Sequence, residues 1–181
     1  MKQIVTLKRI TNPYSKRILS NIVDRDAWKI YCRTPSELER LLRGLTRAEV
    51  EKVWVRGKWS ISYLVSHLCD AEWATGFRIR RAIAECGCSF QAYDQDKWAE
   101  RLYYKKSDFR QKILLFTSLR AANIALLRSL KPAEWNRYGI HEERGKETVE
   151  RMVQMLAGHD LNHLRQIAAM KERAMGKHVG R

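Results

Sequence analysis

The chain has 181 residues, 45% of them hydrophobic and 30% charged, which is enough for one domain with a sizeable core. No apolar run approaches the roughly 20 residues of a membrane helix, and the opening MKQIVTLKRITNPYSKR lacks the apolar stretch of a signal peptide, so a membrane protein is excluded and a cytoplasmic one expected. The net charge of +15 is concentrated in residues 1–33, 97–112 and 171–181, a pattern that admits nucleic acid or an acidic partner but comes with no RNP motif, zinc-finger spacing or basic zipper.

Along the chain, helical spacing recurs and sustained period-2 alternation does not. Residues 1–29 form a basic N-terminal extension. Thr34-Pro35-Ser36-Glu37 predicts a helix start, with Thr34 as cap, Pro35 at the first position and Glu37 closing a capping box; this helix ends near Gly44. Thr46 opens a short second piece by the same cap spacing, and Gly57 breaks it. Ser60 caps a long helix to about residue 85, whose stripe Ile61, Leu64, Leu68, Ala71 and Ile79 includes His67. An aromatic, basic connector follows over 86–106, with a short helix near 96–102. Ser107-Asp108 caps the next long helix, roughly 108–130, whose apolar stripe is interrupted by Arg120 and Asn123. A turn-rich segment, 132–146, carries His141, which is expected at the surface or at the mouth of a pocket. The last helix opens at Glu147 or Thr148 and runs to about 174, with the stripe Val149, Met152, Leu156, His159, His163, Ile167 and Met170. Four main helices, each with one apolar face, predict an all-α four-helix bundle over 30–175, followed by a basic tail at 176–181.

The two imidazoles in Gly158-His159-Asp160-Leu161-Asn162-His163 are one turn apart, so both can point at one place. Two neutral rings on a core-facing stripe need two buried partners, and a shared metal ion is one way to supply them. His67 lies mid-stripe on another helix; if the two helices pack side by side, three ring nitrogens converge. Three histidine ligands leave a coordination position open for water or substrate. Asp160 stands where zinc proteases carry a glutamate base, on a side chain one methylene shorter. Cys32, Cys69, Cys86 and Cys88 show no disulfide framework and are expected as reduced thiols, with Cys69 about 200° around its helix from His67.

Together, Gly57-Lys58-Trp59-Ser60, His67-Leu68-Cys69-Asp70-Ala71-Glu72 and His159-Asp160-Leu161-Asn162-His163-Leu164-Arg165-Gln166 resemble the DinB/YfiT-like superfamily over roughly residues 30–172. The resemblance implies an up-down-down-up four-helix bundle, often a homodimer, with a divalent metal ion (zinc or nickel first, iron or manganese next) on His67, His159 and His163. It implies a small-molecule substrate. The chemistry is either transfer of a low-molecular-weight thiol to an electrophile or hydrolysis. In this frame Asp160, Arg120 and Asn123 are the candidate catalytic residues. Arg120 and Asn123 are placed to take the carboxylate of a thiol cofactor, and Asp70, Glu72 and Asp160 are candidates to orient the histidines. The other reading is a metal-stabilised binding module whose basic surface takes nucleic acid or an acidic partner.

Overall fold

The computed structural model describes residues 4–8 and 10–176, and its elements follow local rules of capping closely. α1 (Pro13–Leu19) opens with Asn12, whose side chain accepts from the Ser15 N–H, and with Pro13 at the first position. A single 3-10 turn, Ser20–Ile22, leads to α2 (Ala27–Leu42). α3 (Arg47–Glu51) has the complete Thr46/Glu49 capping box, and α4 (Ile61–Ala84) starts at Ser60, which accepts from the Tyr63 N–H. β1 (Ser89–Phe90) and α5 (Gln95–Arg101) fill the connector. α6 (Phe109–Ser129) starts at Asp108. A 3-10 turn, Pro132–Asn136, precedes the hairpin β2 (Tyr138–His141) and β3 (Gly145–Thr148), and α7 (Val149–Gly176) completes the described residues.

One predicted boundary is corrected. α2 begins at Ala27, capped by Asp26, and runs through Pro35 instead of starting there. Thr34 is buried and donates its hydroxyl hydrogen back to the Ile30 carbonyl, one turn earlier. Proline at 35 removes the N–H that would bond the Tyr31 carbonyl. Arg120 Nη1, from α6, donates to that carbonyl at 2.6 Å and compensates the break. A side chain 89 residues away therefore lets the helix pass its proline.

The four long helices α2, α4, α6 and α7 form an up-down-down-up bundle. α4 and α6 run parallel: Ser66 meets Ser107, Asp70 meets Lys112, and Gly76 abuts Asn123. α2 and α7 also run parallel, since Asn21 just ahead of α2 meets Arg165, while the carbonyls of Arg40 and Arg43 at its end take Lys171. α4 and α7 are antiparallel neighbours, His67 facing His159 and His163. The expectation of no strands is corrected in one place: β1 pairs parallel to β2, and β2 antiparallel to β3, in a small sheet at one end of α4. No helix among the described residues is long and apolar enough to cross a membrane.

The apolar core comes in two halves. One gathers Leu19, Ile22, Tyr31, Ile79, Leu127 and Met152; the other gathers Leu38, Leu64, Leu68, Phe116, Leu164 and Ile167. Each long helix contributes to both, and α4, α6 and α7 place polar residues between the two: Glu72, then Arg120 and Asn123, then His159 and Asp160. Within the basic extension, Val5, Leu19, Ile22 and Ala27 are core residues.

Candidate metal centre

The polar layer between the two core halves contains the three histidines. His67 from α4 presents Nε2 to Nε2 of His159 at 2.8 Å, and His163 stands one turn further along α7. One ligand atom from each ring lies within 4.8 Å of the other two. The rings meet at 56° to 77°, so they converge without stacking. Trp59 packs edge-on against His67 with centroids 5.1 Å apart, closing one side.

Neighbouring oxygens set the tautomers of two rings. Nδ1 of His159 lies 3.2 Å from Asp160 Oδ1, and Nδ1 of His163 lies 3.1 Å from Gln166 Oε1. Each oxygen is an acceptor, so each Nδ1 carries the hydrogen and each Nε2 keeps its lone pair. His67 Nδ1 is buried and has no partner among the described residues, so nothing there fixes that ring's tautomer. Burial, reinforced by the other two rings, pushes the pKa of His67 down to about 2. Burial and His159 push His163 down to about 3. Both are neutral at pH 7, the form that can ligate.

Behind His159 lies a buried ion cluster. Asp160 Oδ2 accepts from Arg120 Nη2 at 2.7 Å, and the same nitrogen donates to Glu72 Oε2 at 2.8 Å. Glu72 Oε1 accepts from the Tyr31 hydroxyl at 2.9 Å and from Asn123 Nδ2 at 2.7 Å. The Arg120 guanidinium also sits 3.8 Å over the Tyr31 ring. Burial alone would raise the Asp160 pKa, but Arg120 and the hydrogen bond from His159 outweigh it and hold the carboxyl below its ordinary value. Burial likewise works to lower the Arg120 pKa, and Glu72 with Asp160 outweighs it in the other direction. One guanidinium faces two carboxylates, so the cluster carries an excess negative charge next to the three imidazoles. Three converging ring nitrogens, a carboxylate behind one ring and this excess of negative charge fit a divalent cation.

The centre lies at the junction of two cavities. One, about 320 Å³, includes His67 and His159 together with Ala71, Thr75, Arg78 and His141. The other, about 560 Å³, includes His159 and His163 with Lys58, Trp59 and Arg173. Tyr14, Arg17 and Gln95 line both. Tyr14 and Arg17 come from α1, which lies close to α7 because position 158 is glycine: a Cβ there would be 2.5 Å from the Ile18 carbonyl oxygen.

The structure brings together all three histidines singled out by spacing. It puts Arg120, Asn123 and Asp160 behind the histidines, and none of them lines either cavity. The direct contact with a cofactor carboxylate expected of Arg120 and Asn123 is therefore not available to them. Asp70 instead accepts from the Tyr104 hydroxyl and pairs with Lys112. His141 is not a surface residue: it is 1% exposed and lines the smaller cavity. Cys69 is buried in the core, and burial raises its thiol to about 11. Arg78 and Gln166 were not anticipated. Arg78 could have been found by continuing the face of His67 through Ala71 and Thr75, and Gln166 by counting three residues on from His163.

The family model of the DinB superfamily matches residues 31–167. A Bacillus mycoides protein named "Putative metal-dependent hydrolase" is 26% identical over 160 residues, covering 88% of this chain and 91% of its own. The Bacillus subtilis protein named "Putative metal-dependent hydrolase YfiT" is 23% identical over 172 residues, covering 93% and 96%. The solved structure of YfiT, described as "a probable metal-dependent hydrolase with an unusual four-helix bundle topology", superposes with a TM-score of 0.76 at 20% identity over 97% of this chain and 94% of its own, which establishes the shared fold. With the match extending from α2 into α7, across all four bundle helices, this chain belongs to the DinB superfamily.

Proposed function

We propose that this protein is a metal-dependent enzyme in which His67, His159 and His163 hold a divalent ion, zinc or nickel, and that it transfers a low-molecular-weight thiol to an electrophilic small molecule. The observation that carries this is the pair of cavities meeting at His159, each of a size that accepts a small molecule. A transfer between two organic molecules needs two such places; a hydrolysis needs one. Neither cavity is lined by a serine or cysteine among the described residues, and in this reading a thiol from outside the chain is the nucleophile.

When bound, the ion supplies Lewis acidity at an open coordination position, the chemistry that makes a thiol or a water nucleophilic near neutral pH. The chain's own residues do the positioning. Asp160 accepts from His159 Nδ1–H and keeps the Nε2 lone pair directed at the centre; Gln166 does the same for His163. Arg120, held by Glu72 and the Tyr31 carbonyl, keeps Asp160 ionised and in place. Trp59 shields His67 from bulk water. Asp160, Arg120 and Asn123 are on this account positioning residues and touch no substrate.

Hydrolysis, with water as the nucleophile, is the second reading, favoured by the names of the relatives. The two part in one experiment: the zinc- or nickel-loaded protein is incubated with an electrophile such as 1-chloro-2,4-dinitrobenzene, with and without added thiol. Product formed only with thiol, and lost in His163→Ala, supports transfer. Thiol-independent release from ester or amide substrates, with no thiol adduct, assigns the site to hydrolysis.

A further inference from the structure

The smaller cavity has a wall that the metal centre does not use. α4 turns His67, Ala71, Thr75 and Arg78 to it, four positions on one helical face. The small side chains of Ala71 and Thr75 leave room, and Arg78 closes the end away from His67. The Cα atoms of His67 and Arg78 are about 16 Å apart along the axis, so the cavity spans a small molecule between them.

Arg78 is 8% exposed and makes no ion pair with a carboxylate among the described residues. Its Nη2 donates to the Gln91 carbonyl, and its guanidinium carbon is 5.7 Å from the Tyr93 ring centroid. Glu147, the buried carboxylate on the same cavity, is already committed to Arg144 by hydrogen bonds of 2.8 Å and 2.9 Å. His141 adds an unmet donor. Its Nδ1 accepts from the Glu143 N–H at 3.2 Å, so the neutral ring carries its proton on Nε2, and that buried nitrogen has no partner among the described residues. Burial first, then Arg144, push the His141 pKa down to about 4, which keeps the ring a neutral donor at pH 7. A buried guanidinium without a counter-ion is costly, and an anion entering the cavity removes that cost.

We propose that the smaller cavity is an anion subsite, in which Arg78, with His141 beside it, takes the carboxylate or phosphate group of a molecule whose reacting end lies at the three histidines. The subsite fills the role that Arg120 is too deeply placed to perform. The proposal deepens the reading of the histidines as a reaction centre and rests on it for the word substrate; anion binding itself does not require the metal.

The test is calorimetric titration of the full chain, zinc-loaded and EDTA-treated, with glutarate, with inorganic phosphate, and with glutaramide as the uncharged control. Glutarate or phosphate should bind both forms, and glutaramide neither. Arg78→Met should weaken the binding at least tenfold, as expected for one charge-assisted contact, with zinc content unchanged. Arg78→Lys keeps the charge and should recover part of it, and serves in place of Arg78→Met if the methionine variant does not fold. Equal binding by wild type and a folded Arg78→Met, equal binding of glutarate and glutaramide, or no binding of either anion would overturn the subsite. Binding that vanishes with EDTA also overturns it, because the anion then sits on the metal. Anion binding in a protein that takes up no zinc would instead leave the subsite standing and remove the metal reading. N-acetylcysteine binding the zinc-loaded chain more tightly than its S-methyl ether assigns the anion to the thiol; equal binding assigns it to the electrophile.

Discussion

Replacing Arg120 with methionine removes a cation that faces two buried carboxylates. Glu72 and Asp160 are at most 1% exposed, so neither can find water when the guanidinium goes. Breaking a buried pair by removing one partner costs about 3–5 kcal/mol. The Tyr31 carbonyl, which Pro35 deprives of its helical donor, loses the 2.6 Å bond that replaces it. An unmet buried acceptor adds about 1–3 kcal/mol. The expected loss is thus about 4–8 kcal/mol out of a total stability on the order of 5–15 kcal/mol. For a chain of this size, that lowers the thermal midpoint by at least about 8 °C. Urea unfolding followed by circular dichroism gives the difference directly, with an unchanged slope showing that both proteins unfold from the same compact state. Adding Glu72→Gln to Arg120→Met should recover part of the loss, because one unpaired charge fewer remains. A loss below about 1 kcal/mol, or no recovery in the double variant, would refute the charge cluster as the element that holds this layer together.

Asp160→Asn keeps the shape of the side chain but removes the charge behind His159; zinc affinity, measured by competition with a chromogenic chelator, should fall about 10- to 100-fold, and a change within twofold would contradict the positioning role. The EDTA-treated protein should lose stability as the pH falls from 7.5 to 5.0. Above about pH 6.5 His67 and His163 are neutral in both states; below it the unfolded chain takes protons that the folded one, with these pKa values near 2 and 3, refuses. Each ring can cost up to about 2 kcal/mol at pH 5, and an unfolding midpoint in urea independent of pH over this range would refute the burial of these rings. Gly158→Ala puts a methyl group 2.5 Å from the Ile18 carbonyl oxygen, a backbone atom that cannot swing aside. It should cost about 1–3 kcal/mol and expose α1 to limited proteolysis near residues 12–20, whereas an α1 as resistant as in the wild type would mean that α1 does not pack there.

The parts of this fold that were legible in the sequence are those set by near neighbours. Ser60, Thr46 and Asp108 cap helices because their side-chain oxygens reach N–H groups within three residues, and that spacing is visible in the chain. The histidine pair is visible for the same reason. Asn12-Pro13 is an equally local helix start inside the basic extension, with the Asn12 side chain reaching the Ser15 N–H. The start of α2 at Asp26 is as local as the other caps, but the passage of the helix through Pro35 was not legible, because the Tyr31 carbonyl finds its donor on α6 and no local rule anticipates a side chain so far along the chain. The small sheet escaped because strands of two to four residues are too short for an alternating pattern. His141 reads as a loop residue in sequence, whereas in the fold it lies buried on β2, paired with β1 on one side and β3 on the other. At the site, the ligand set could be read from spacing, while the roles of Arg120 and Asp160 depended on which side of the rings they lie, a fact of packing alone.

Metal content tests the central claim most directly. The protein would be purified without a histidine tag or nickel column, beside His159→Ala, and both analysed for transition metals after incubation with zinc and with nickel. The account predicts about one divalent ion per wild-type chain and its loss in the variant, with the fold retained. No bound metal in either protein, or the same content in both, would contradict it and return the three histidines to the core as packing residues.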